Sequence, residues 1–122
     1  MIDKLNYIEV DGKKYPMAFS LNVMERVQEE YGSMQAWSET LQPSSGEPKI
    51  KDVIWTFKEL INEGIEIENE ETGGDRQPIT HKQAGRLITN IKEVTEKMTE
   101  IVTKSLKTGN PNTQTTQSRT NQ

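Results

Sequence analysis

The chain contains no cysteine. That excludes disulfides and thiolate metal sites and removes any need for an oxidising compartment. Histidine is almost as scarce: His81 stands alone, without the neighbours of a metal centre or a catalytic triad, and reads as a solvent-facing residue in the first turn of a helix. No Gly-x-Ser-x-Gly, Walker-type or Gly-x-Gly-x-x-Gly segment occurs. Long apolar runs are missing too. Nothing approaches the ~20 residues of a membrane span, and the start lacks the apolar run of a signal peptide. These absences predict a non-enzymatic protein with no cofactor and no bound metal, located in the cytoplasm of the cell that makes it. Positive charge is not in excess. A net charge of -4 and a pI near 5.1 argue against the concentrated basic face of a nucleic-acid binder.

Apolar residues are also few, at 31% of the 122. All the leucine, isoleucine, valine and phenylalanine lies before Lys107. The expected organisation is therefore one domain over residues 1–106 and a polar Thr/Asn/Gln tail over 107–122, too poor in apolar groups to fold. A domain of about 100 residues has little stability to spare, so oligomerisation or a partner is expected.

What is present reads as mainly α with a small N-terminal β-hairpin. Asp11-Gly12 between alternating segments predicts a two-residue turn. Val10 then faces Lys13, Ile8 faces Tyr15 and Asn6 faces Met17, with Glu9 opposite Lys14. Pro16 cannot donate to a ladder and suggests an edge. Ser20 is placed to cap a helix carrying Leu21, Met24, Val27 and Tyr31, ended by Gly32. Ser33 caps a short helix with Met34, Trp37 and Leu41 on one side. Residues 42–49 form a loop. Ile50, Val53, Ile54, Phe57, Leu60 and Ile61 define a core helix ended by Gly64. The acidic residues 65–75 follow as a solvated connection. Their Glu66, Glu68 and Glu70 mimic alternating oxygen ligands but lack an EF-hand's glycine and distal glutamate. Thr80-His-Lys-Gln83 fits a capping box with Ile79 and Ala84 as a staple. It opens a fourth, long helix over 80–106, ~39 Å at 1.5 Å per residue. The seam of that helix is Ala84, Leu87, Ile91, Val94, Met98 and Ile101, broadened by Ile88 and Val102.

Partner-binding candidates follow from this reading. Trp55 lies off the main stripe of its helix and either packs internally or anchors a partner, whereas Trp37 reads as core. The long helix outruns a domain of this size. Its first half is expected to pack on residues 53–61 and its last part, Met98, Ile101, Val102 and Leu106, to be free for self-association or a client. On that expectation, Met98→Glu with Val102→Glu would spare folding.

The order of elements resembles the tail assembly chaperones of long-tailed phages infecting Gram-positive bacteria. The residues that carry the resemblance are Tyr7-Ile-Glu-Val-Asp-Gly-Lys-Lys-Tyr15 and Phe19-Ser-Leu-Asn-Val-Met-Glu-Arg-Val-Gln-Glu-Glu-Tyr-Gly-Ser33. A helix like 53–64, an acidic loop and a last helix opened by Ile79-Thr-His-Lys-Gln-Ala84 complete it. The resemblance implies a chaperone that binds the tape measure protein, keeps it soluble and helps bring tail tube subunits to it. It implies a place in the host bacterial cytoplasm and absence from the mature virion, with neither nucleic acid nor membrane as partner. Many such proteins also exist in a longer, frameshifted form, and the polar tail would suit the short one. Two other classes stand beside it. One is a head–tail or tail adaptor retained in the virion. The other is a helical DNA-binding regulator, for which the helix after Gly32 is poor, having Glu39 and no Lys or Arg.

Overall fold

A computed structural model describes residues 5–107. Its order is β1 (Asn6–Val10), β2 (Lys13–Met17), α1 (Leu21–Tyr31), α2 (Met34–Leu41), α3 (Ile50–Thr72), α4 (His81–Leu87) and α5 (Ile91–Lys107). The protein is mainly helical with an N-terminal antiparallel hairpin, as expected, but it has five helices among the described residues rather than four. The polar tail from residue 108 on lies outside the described residues. No described helix is long and apolar enough to cross a membrane.

The hairpin has the expected register, Asn6↔Met17 through Val10↔Lys13. Asp11 and Gly12 both adopt positive φ, 52° and 80°, the requirement of the mirror-image turn that matches strand twist. Helix α1 starts at Ser20, whose Oγ accepts from Asn22 N–H at 3.2 Å. It closes on Gly32, whose N–H donates to Gln28 O at 2.9 Å. In α2, Ser33 Oγ accepts from Ala36 N–H at 3.0 Å. These caps sit where side-chain chemistry placed them.

Helix α3 departs from expectation. It does not end at Gly64 but runs on to Thr72 and closes at Gly73, whose left-handed backbone (φ 75°) suits glycine. The reason is tertiary. Ile65 continues the Ile61 stripe into the core, at 2% exposure. Gly64 is a contact point: a Cβ there would lie 2.5 Å from Pro16 C and O and 2.7 Å from Met17 N. Strand β2 crosses α3 at that point, and Ala18 N–H donates to Leu60 O at 3.0 Å. The acidic segment is thus largely helix. Asn69 closes its end, donating to Arg76 O (2.9 Å) and accepting from Arg76 N–H (3.0 Å).

The expected single helix over 80–106 is two. The Thr80–Gln83 capping box is formed, but α4 stops at Ile88, whose backbone is extended (φ -80°, ψ 112°). Asn90 starts α5 afresh, its Oδ1 accepting from Glu93 N–H at 3.0 Å. An Asn cap followed by Glu at the third position is itself a start signal, hidden within an unbroken apolar seam. Helix α4 packs on α3: Asn62 holds Ile79 at both its carbonyl (3.0 Å) and its N–H (2.8 Å).

The core gathers Met17, Phe19, Val23, Val27, Phe57 and Leu60 with Met98, Ile101 and Val102 of α5. Two carboxylates of α3, Asp52 and Glu63, are buried beside it. Glu63, 4% exposed, accepts from Ser20 Oγ at 2.6 Å and Asn22 Nδ2 at 3.4 Å. Its other oxygen lies 3.7 Å from Arg26 Nη2. The carboxylate meets the positive end of α1, which offsets its desolvation.

Candidate functional site: a neutral groove between α2 and α5

The final turns of α5 pass beside α2 and leave an open groove of about 290 Å³. Its apolar lining is Met34, Trp37 and Leu41 from α2 and Val102 and Leu106 from α5. The rest is neutral and polar, including Gln35, Ser38, Thr99 and Thr103. Among the described residues no ionised side chain lines it, although 28% of the chain is charged. Such a surface accepts apolar side chains without leaving a charge unpaired.

The α2 wall is rigid because Trp37 is held on two sides. Its ring stacks on Phe19, centroids 5.9 Å apart and planes 8° apart. Its Nε1–H donates to Thr56 Oγ1 of α3 at 2.8 Å. Met34, only partly buried, is the adaptable element of the same wall. Leu106, 36% exposed, closes the groove from the α5 side.

The structure sorts the sequence candidates. The expectation that α5 is free from Met98 onward is corrected. Met98 and Ile101 are core residues, with 0% and 2% exposure, because the break at residues 88–90 turns α5 back along α3. Val102 is also buried yet lines the groove, and Leu106 remains exposed. A Met98→Glu change would therefore place a charge in the core and unfold the chain. Trp55 is not brought to the groove. It packs edge-on against Tyr31, centroids 5.2 Å apart. Met34, Trp37 and Leu41 were legible as one apolar side, but only packing reveals that part of that side is left uncovered.

Other polar clusters join elements of the fold. Tyr31 Oη–H donates to Asp52 Oδ1 at 2.7 Å, and burial together with that carboxylate raises the phenol well above its ordinary range. Burial, and then the nearby Glu68 carboxylate, raise the Tyr7 phenol. Arg76 is engaged on three sides: its Nη2–H donates to Lys14 O (2.9 Å), its Nη1 meets Glu68 Oε1 (3.4 Å), and its guanidinium lies 5.0 Å from the Tyr15 ring centroid. Among the described residues, no three acidic or histidine side chains are placed to share a metal ion. His81 is exposed at the first position of α4. No protein-family model matches the chain, and no match is found among curated proteins or solved structures.

Proposed function

We propose that this protein is a phage tail assembly chaperone that holds apolar helical segments of the tape measure protein in the α2–α5 groove. The observation that carries this reading is the groove itself, an apolar floor with a neutral rim and, among the described residues, no ionised side chain. A client helix presents i, i+3 and i+4 anchors, and such anchors need a preformed apolar trough. A net charge of -4 keeps a loaded complex soluble. The protein acts by binding, not by catalysis. It releases its client when tail tube subunits offer a better-matched surface, and it acts in the host cytoplasm without entering the virion.

The test is co-expression with the tape measure protein. The client is expected to be soluble only with the chaperone. Met34→Glu with Leu106→Glu, two changes at the groove's accessible edge, is expected to abolish that rescue while the circular dichroism melt stays near the parent's. Equal client solubility with and without the protein overturns the reading. Detection of the protein in purified virions by mass spectrometry assigns it to the particle instead.

A further inference from the structure

The two edges of the hairpin are unlike. In the observed register, with a two-residue turn, Val10–Lys13, Ile8–Tyr15 and Asn6–Met17 exchange the ladder hydrogen bonds. The main-chain groups of Lys14, Pro16 and Ala18 then point outward from β2. Three of these positions are covered or taken. Lys14 O accepts from Arg76 Nη2, Pro16 has no N–H and lies against Gly64, and Ala18 N–H donates to Leu60 O. That edge is shut by α3 and by Arg76.

On β1 the outward groups are the N–H and C=O of Tyr7 and Glu9. No partner among the described residues reaches them. Both residues are exposed. A hollow of about 280 Å³ lies alongside, walled on the far side by Asn90, Glu93 and Lys97. Strand β1 has neither proline nor bulge, two of the usual protections of a free edge. An edge with two unpaired donors and two unpaired acceptors is a template for one more strand.

We propose that the occupant is β1 of a second copy of this chain, paired antiparallel about a two-fold axis at Ile8. Two observations select this occupant. The strand is self-complementary about Ile8: Tyr7 of one copy pairs with Glu9 of the other, so no like charges meet, and Asn6 faces Val10. The hollow's wall carries Glu93 and Lys97, opposite charges four residues apart on α5, so a second copy meets no wall of a single sign. Four main-chain hydrogen bonds join the copies, and the two hairpins become one four-stranded sheet. Ile8 lies opposite Ile8 in a pair without hydrogen bonds. A five-residue strand makes a small interface, so the dimer is weak and concentration-dependent. This inference uses the opposite end of α5 from the client groove and does not rest on the chaperone reading.

The test is amide hydrogen exchange of the full chain over a range of concentrations, with sedimentation velocity in parallel. The Tyr7 and Glu9 amides are expected to slow with concentration, about tenfold where about nine-tenths of the chains are paired. Ile8 and Val10, bonded to β2, are expected to change little. Glu9→Pro removes one outward N–H without touching the β1–β2 ladder and is expected to leave the chain monomeric. Ile8→Cys introduces the chain's only thiol. Oxidation is expected to join two copies at residue 8, where directly opposed Cα atoms lie about 4.5 Å apart. Fast exchange at Tyr7 and Glu9 in a chain that stays monomeric at every concentration overturns the proposal. So does protection that appears only when an unrelated extended peptide is added. If Glu9→Pro fails to fold, the exchange of the unaltered chain and the Ile8→Cys cross-link still decide.

Discussion

Gly64→Ala measures how closely strand β2 lies on α3. Gly64 is in the interior of a 23-residue helix. On helix propensity alone, alanine there would stabilise by about 1 kcal/mol. The new methyl carbon, however, would sit 2.5 Å from two atoms of Pro16 and 2.7 Å from Met17 N. Carbon contacts settle near ~3.5–4.0 Å, so the strand must retreat by roughly 1 Å. The atoms met are backbone and cannot rotate away. Retreat also pulls on Ala18 N–H···O Leu60 at 3.0 Å and Arg76 Nη2–H···O Lys14 at 2.9 Å, and it loosens Met17, which has 0% exposure. A displacement of this kind belongs at the upper end of overpacking, about 3 kcal/mol. After the propensity gain, the net loss is about 2 kcal/mol. For a domain of this size that lowers the melting temperature by roughly 8–16 °C.

The assay is thermal and urea unfolding followed by far-ultraviolet circular dichroism, with Gly85→Ala as the paired control. A Cβ at Gly85 meets only Ile54 Cδ1, at 3.4 Å, the far end of a side chain. That variant is expected to be neutral or more stable by about 0.5 kcal/mol. A Gly64→Ala protein as stable as its parent would refute the close approach and the crossing of β2 over α3.

Asn90→Ala tests the break between α4 and α5 by its sign: as a cap, Asn90 is expected to be missed by about 1 kcal/mol, whereas in a continuous helix alanine would add stability, and urea midpoints distinguish the two. Tyr31 links the fold to alkaline pH. Burial and Asp52 raise its folded value above the ordinary 10.0, so the unfolded chain releases the proton first and stability falls as pH rises past about 10; Tyr31→Phe is expected to cost about 1 kcal/mol at neutral pH, modest because the pair is partly solvated, and to flatten that alkaline decline in urea titrations. Ser20→Ala removes both the α1 cap and the shortest donor to buried Glu63, an expected loss of about 2 kcal/mol. Ser20→Asp, elsewhere an equal cap, is expected to be worse still because two carboxylates would meet; a melting temperature above that of Ser20→Ala would contradict the Ser20–Glu63 contact.

Local chemistry was legible in the sequence wherever a side chain acts on its own neighbours. Asp11-Gly12 determined the hairpin turn and, with it, every cross-strand pair, because positive φ at two adjacent positions leaves one turn geometry. Ser20, Ser33 and Thr80 determined three helix starts, because each hydroxyl meets an N–H two or three residues on. The apolar side of α2 was also readable. Tertiary packing decided the rest. Gly64 looks like a terminator in one dimension and is a crossing point in three, since the absent Cβ makes room for another segment's backbone. The seam through Ala84, Leu87 and Ile91 looks continuous, yet the chain breaks at residues 88–90, because Asn90 offers a new cap and α5 buries Met98 and Ile101 by turning back along α3. Which apolar residues remain uncovered follows from that turn. It buries Met98 and Ile101 and leaves Met34 and Leu106 facing one another across a groove.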